Sequence, residues 1–360
     1  MPKRQSTPEP CGHNITAKRR QQTRRQRHLY LVVDDWERGY SVRKIDLESS
    51  SDLQAADPEP EPLPEPPVVR FEGKHCHLQL FGVHGTKILA MPAYGAADFP
   101  IYDTQTTAIT LCAHPDNLRS TFPVILASID GALHMIRGSC LFVLDAPPPP
   151  AAYHRAGDQP WTWTTKLSDL PFATPHLKSF ALHPDGRTLF VSARRGTFSV
   201  DAQSLRSTRH GGWSLPFQGE ALFDKALNAW VGLCAYEGGV GNLCSCDVVE
   251  AECRTMPAWK LGKDRLFCAG DKKRRHLGAK LLAMGGDGES SDYCLVESAV
   301  HEDEEPAGTR HRVFHVTVFG LEYDEDGALR TTTRRRAGSY EMRVAHDHTD
   351  RLRSPAAFSL

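Results

Sequence analysis

The chain has 360 residues, 40% of them apolar and 24% charged, with a formal net charge of −1. That is ordinary globular composition, enough to bury a sizeable core, and with no run of 18 apolar residues it excludes a helical membrane span as an expectation. The near-zero total hides an asymmetry, because residues 1–28 hold eight Lys/Arg and one Glu and leave the remainder net acidic.

Residues 1–27 are polar, basic and nearly free of apolar side chains. They read as a disordered tail. Lys18, Arg19, Arg20, Arg24, Arg25 and Arg27 form a basic cluster of the kind that serves as a nuclear signal or a nucleic-acid contact, with a plain solvated tail as the alternative. An Arg-rich, acid-poor start also suits an organelle transit peptide. No apolar segment follows as in a secretory signal. The expected compartment is therefore cytoplasm or nucleus, with organelle import as the alternative, and the ten cysteines read as reduced thiols.

Residues 28–360 read as one all-β domain. Leu29 to Val33 is an apolar run with strand character, and Tyr40 to Leu47 follows a turn at Arg38-Gly39. Residues 48–67 carry six acids, no Lys or Arg, and the run Pro58-Glu59-Pro60-Glu61-Pro62. This predicts an extended acidic, Pro-rich loop, solvated between strands. Strand character returns at Val68 to Phe71.

A strand–turn–strand unit then recurs. Its best copy is His183-Pro184-Asp185-Gly186-Arg187-Thr188-Leu189-Phe190-Val191, where Pro184 presets a turn, Asp185 can bond nearby backbone and Gly186 can take φ > 0. Turn marks at Gly85, Gly131, Gly186, Asn228 and Gly278 lie 46, 55, 42 and 50 residues apart, which fits the repeat of propeller blades. Each unit is expected to be an antiparallel sheet in sequence order. Trp161-Thr162-Trp163-Thr164 reads as an outer strand whose two indoles are buried at a blade junction. His311 to Tyr323 and Ala328 to Thr333 read as a hairpin across Asp326-Gly327.

The last residues, Ser354-Pro355-Ala356-Ala357-Phe358-Ser359-Leu360, resemble the strand Ser179-Phe180-Ala181-Leu182. They predict that the C-terminal strand pairs with the N-terminal blade and closes the ring, removing an exposed edge. The expectation is a six-bladed β-propeller, or seven blades if residues 311–345 form their own sheet.

The His183 segment resembles the strand–PDG–strand signature of kelch-like and YVTN-type propellers. Two further segments, His28-Leu29-Tyr30-Leu31-Val32-Val33-Asp34-Asp35-Trp36 and Met256-Pro257-Ala258-Trp259-Lys260-Leu261-Gly262-Lys263-Asp264, together with the His183 hairpin, resemble a large set of plant proteins, mainly from grasses, with no assigned function. The first resemblance implies fold and the second brings no catalytic residues. Kelch-like plant propellers often follow an F-box. The 27 residues ahead of the first strand lack its apolar pattern, so a ubiquitin-ligase role would need an adaptor from a partner.

Motifs that carry chemistry are scarce. Cys244-Ser245-Cys246, near Cys234 and Cys253, lacks the second knuckle of a structural zinc site and reads as buried thiols on one strand face. His346-Asp347-His348 lacks a third ligand, and Gly238 to Asn242 is glycine-rich without a following Lys-Ser/Thr, so it reads as a hairpin loop. His183 reads as a turn-stabilising residue, and Asp34, Asp35, Asp103 and Asp201 as carboxylates bonding the turns after their strands. Lys272 to Arg275 and Arg334 to Arg336 read as solvated basic loops. No catalytic residue, metal or cofactor is assigned. The functional expectation is a non-catalytic protein-interaction propeller with a protein partner. The alternative is a hydrolase or lactonase-like propeller with a metal or carboxylate at a channel mouth, and nucleic-acid binding through the tail is a third reading.

Overall fold

The computed structural model describes residues 28–47, 51–52, 59–73, 79–92, 98–115, 124–146, 161–250, 253–267, 274–285, 292–301, 311–343 and 354–360. The basic tail and the His346–His348 cluster lie outside them. The described chain is all-β. Its only helical turns among these residues are short 3-10 segments at Thr174–His176 and Glu237–Gly239.

Strands β1 (His28–Trp36), β2 (Gly39–Asp46), β3 (Ser51–Asp52), β4 (Glu61–Pro62) and β5 (Val69–Glu72) open the chain, and β26 (Ala356–Ser359) ends it. One sheet runs β26-β1-β2-β5. A second runs β6 (Gln79–His84), β7 (Lys87–Pro92), β8 (Asp98–Asp103) and β9 (Ile109–Ala113). A third runs β10 (Val124–Ile129), β11 (Ala132–Arg137), β12 (Cys140–Leu144) and β13 (Thr164–Leu167). Strands β14 (Ser179–Leu182), β15 (Thr188–Ala193), β16 (Gly196–Asp201) and β17 (Ser207–Gly211) form a four-stranded unit. Strands β18 (Phe217–Asp224), β19 (Ala229–Cys234), β20 (Asn242–Asp247) and β21 (Trp259–Arg265) form the next. These two units join through parallel pairing of β14 with β18. The last sheet holds β22 (Arg274–Ala283), β23 (Asp292–His301), β24 (His311–Tyr323) and β25 (Leu329–Arg343). Small antiparallel units in sequence order, with first strands side by side, are β-propeller architecture.

The core follows from strand alternation, which sends successive side chains to opposite faces. On β1, Leu29, Leu31 and Val33 pack with Leu282, Val296 and Phe314 of the last sheet, while Tyr30 and Val32 pack with Phe81 and Ile88 of the second. The other buried clusters likewise each join two consecutive units. Trp161 and Trp163 lie just ahead of β13. Both are buried between the second and third sheets, as the alternation predicted. The C-terminal strand pairs antiparallel with β1, Tyr30 opposite Phe358 and Leu31 opposite Ala357, and β22 lies against it on its other side.

Four expectations are corrected. Gly278 is not a turn. It sits inside β22 at a register shift between His276 and Gly278, so Lys280 to Met284 belongs to the first strand of its sheet and Cys294 to Glu297 to the second. Residues 311–343 do not form their own sheet, because β24 pairs along its length with β23. The described part of the acidic loop is not free of the body. Its strands β3 and β4 pair with β25, Leu63 is buried, and Glu65 and the Pro64 carbonyl bind Arg43. Arg334 to Arg336 accordingly lie within strand β25 rather than in a loop.

Candidate functional site

Most of the polar residues singled out from sequence are committed to structure. Asp185 accepts from the N–H groups of Arg187 (2.9 Å) and Thr188 (2.8 Å) and from the Thr188 hydroxyl (2.6 Å), and the Asp185 N–H donates to His183 Nδ1 (3.2 Å). His183 is therefore a turn residue. Asp201 accepts from Gln203 and Ser204, and Asp103 from Gln105, Thr86 and Lys87. Burial pushes the Asp103 carboxyl up, but these donors and the Lys87 charge prevail and hold it at about 2.

Asp34 and Asp35 depart from the turn-bonding expectation. Asp34 pairs with Arg312 of β24 at 3.2 Å, and both side chains are 3% exposed. Asp35 pairs with the buried Arg43. Cys244 and Cys246 are buried against Phe190 and Ala181 of the preceding unit, as read from sequence. Among the described residues, no group of three or more His, Cys, Asp or Glu is placed to hold a metal ion.

The site that sequence reasoning missed lies between the β18–β21 unit and the β22–β25 sheet. A cavity of about 580 Å³ is lined there by Phe180, Glu220, Cys234, Val240, His276 and Lys280, among others. Irregularities in two first strands shape it. In β18, Phe217 opposes Cys234 and Ala221 opposes Gly232, so the stretch between them bulges, with Gly219 at φ +75°. In β22, the shift at Leu277 does the same. Bulges re-aim side chains and are common beside binding sites.

The β19–β20 loop forms the outer wall. A Cβ at Gly239 would stand 2.4 Å from Cys234 Sγ, and one at Gly241 2.4 Å from the Phe267 carbonyl, so only glycine lets the loop close down here.

Glu220 and Lys280 face this space. Glu220 is reachable by solvent, yet protein encloses the space around it. Dehydration pushes its carboxyl up, partly offset by the Lys280 charge; dehydration likewise pushes the Lys280 ammonium down, partly offset by Glu220. The Lys280 Nζ sits 4.9 Å from the ring centre of Phe358 on the C-terminal strand. His276 Nδ1 lies 2.9 Å from Glu297 Oε1. The Cys234 thiol is pulled down by its hydrogen bond with Cys244, against burial and with help from the Tyr236 N–H; Cys244 is pushed up by the same contact.

At the mouth, Tyr236 and Val240 are 44% and 48% exposed, and Leu261 reaches the wall beside Gly239. The Tyr236 ring stacks on Trp259, centroids 4.8 Å apart and 8° from parallel. Sequence signals for this site were present: Lys280 interrupts an apolar strand, and Gln218-Gly219-Glu220 breaks the alternation of β18.

The described residues form a propeller fold with an amphipathic pocket between the β18–β21 unit and the β22–β25 sheet. A family model described as "Protein of unknown function (DUF1668)" matches residues 26–340, and the chain belongs to that family. No curated protein matches it. Among solved structures, the chain is similar to a TolB-type protein of Agrobacterium tumefaciens (10% identity, 88% of this chain and 98% of that one, TM-score 0.37). It is also similar to the WD40 domain of SCAP from fission yeast (10%, 88% and 88%, 0.34). A third is the β-propeller domain of a Myceliophteria thermophila protein (11%, 62% and 67%, 0.30).

Proposed function

We propose that this chain is a closed six-bladed propeller that acts as a non-catalytic protein-interaction module, its partner seated on the pocket end of the ring. The ring reading is supported by β26 pairing with β1 and by buried clusters that each join consecutive units, the last with the first. The binding reading rests on one observation: the exposed apolar rim of Tyr236, Val240 and Leu261 borders a charged cavity, and Val240 belongs to both. An apolar rim around a pocket with fixed charges suits a partner that covers the rim and inserts a side chain.

Affinity capture from native-tissue lysate with mass spectrometry tests this. It compares the parent chain, Val240→Asp, and a full-length variant with Lys18, Arg19, Arg20, Arg24, Arg25 and Arg27 changed to Gln. The expected result is one partner recovered by the parent and the tail variant and lost from Val240→Asp, whose melting temperature is unchanged. Recovery by Val240→Asp at parental level would refute the pocket-end reading, and loss from the tail variant would move the contact to residues 1–27.

One observation favours a second reading, a hydrolase or lactonase-like propeller. Glu220 is a cavity carboxylate whose pKa is raised by dehydration, the direction a general acid needs. Turnover of a lactone or ester panel by the parent and its loss in Glu220→Gln is the outcome this reading requires.

A further inference from the structure

The cavity also specifies a small ligand, independently of what covers the rim. Glu220 and Lys280 carry opposite charges into one enclosed space, and each senses the other's charge. Yet among the described residues neither makes a direct ion pair or hydrogen bond, and Lys280 rests instead on the Phe358 ring. Glu220 is exposed and Lys280 half-buried, so both charged heads are accessible to a molecule that enters the cavity. Each lies on a strand with an irregularity close by, at Gln218–Glu220 in β18 and at Leu277 in β22.

The gap is ligand-sized, because small-molecule sites occupy roughly 300–1,000 Å³, and this cavity has about 580 Å³. Its other walls include the apolar Phe180, Leu233, Phe267 and Leu281, beside the polar Gln218, His276 and Ser354. A lone anion would satisfy Lys280 and be repelled by Glu220, and a lone cation the reverse. A neutral apolar molecule would leave both charges unpaired. Only a molecule bearing both charges and an apolar body matches every wall.

We infer that the cavity binds a small zwitterion with an apolar body, a free amino acid or short peptide, whose ammonium faces Glu220, whose carboxylate faces Lys280 and whose side chain lies on Phe180 and Leu281. Nothing covalent is involved. The shared chemistry is the pair of free ends; free amino acid and peptide are its two sources.

The test is calorimetric titration of the full chain with L-leucine and with L-leucyl-L-leucine, each also in N-acetylated and C-amidated form. The expected result is binding of at least one free zwitterion at millimolar concentration or below. Blocking either end then weakens it about tenfold or more, the loss of one charged contact. In Glu220→Gln, acetylation should no longer matter while amidation still does; in Lys280→Met the reverse holds. Leucine binding in this pattern assigns the site to amino acids, and binding of the dipeptide alone assigns it to peptides. Absence of heat with both free ligands overturns the inference. Equal affinity of free and blocked forms also overturns it, and that comparison needs only the parent chain and stands even if a variant fails to fold. The rim variant Leu261→Asp lies outside the cavity lining and keeps the charged pair, so loss of the partner there with retained zwitterion binding separates the two readings.

Discussion

In the β14–β17 unit, Asp185 satisfies three donors no more than three residues away. At the seam between the first and last sheets, Arg312 reaches Asp34 across 278 positions, and β26 pairs with a strand from the opposite end of the chain. The first region is held by short-range turn chemistry. The second is held by contacts whose loop-closure entropy must be overcome before any of them forms. Local sheets can therefore appear early and singly, whereas the seam is the last and most conditional part of the ring.

Breaking the seam should have the largest effect. Deleting residues 355–360 removes the β26 ladder and exposes the packing partners of Ala357 and Phe358, which are 0% and 7% exposed. Loss of a buried Phe alone costs about 3–5 kcal/mol, so the melting temperature should fall by roughly 10 °C. An unchanged melt would remove β26 from the stabilising contacts. Arg312→Ala should follow, because it removes one member of a buried ion pair, at a cost of about 3–5 kcal/mol; urea unfolding at neutral pH measures it.

Local chemistry should cost less and carry a pH signature. Asp103, held at about 2 against a side-chain exposure of 16%, ties the β6–β7 turn to the β8–β9 turn through Thr86, Lys87 and Gln105. Its folded value lies below the unfolded one. The contribution is therefore fully present above about pH 4 and is lost as pH falls through about 2. Asp103→Asn should lose about 2 kcal/mol at pH 7, and its gap from the parent should close in acid. A gap constant with pH would refute the charge as the cause. Asp185→Ala should cost about 1–2 kcal/mol, the net worth of a few turn hydrogen bonds. Leu111→Lys should be the mildest. Leu111 is 63% exposed on the outer strand β9, and surface changes of this kind stay within about 0.5 kcal/mol in thermal or urea melts.

The same contrast governs what could be read in advance. The β14–β17 hairpins, the spacing of the four turn marks Gly85, Gly131, Gly186 and Asn228, the buried Cys244 and Cys246 and the two indoles are short-range or periodic features, so residue order displays them. Even the role of the last strand was legible, because residues 354–360 repeat the pattern of Ser179 to Leu182. Gly278 misled because glycine marks bulges as well as turns. The docking of β3 and β4 on β25 was invisible, since their Pro and acidic content reads as solvated until a partner strand is known. Glu220 and Lys280 showed as irregularities in β18 and β22, but no local rule says that two such strands sit side by side.

The β1–β26 pairing also sets an order of events during synthesis. The edge of β1 that will receive β26 is an apolar row, Leu29 to Val32. It leaves the ribosome about 330 residues before its partner, which at roughly 5–20 residues per second is tens of seconds. Throughout that interval the nascent chain displays an unpaired strand able to recruit a neighbour on the same polysome. Chaperone demand in a cell making this protein should therefore scale with the delay before β26 emerges, so slowing translation of the last sheet should raise aggregation more than slowing the first.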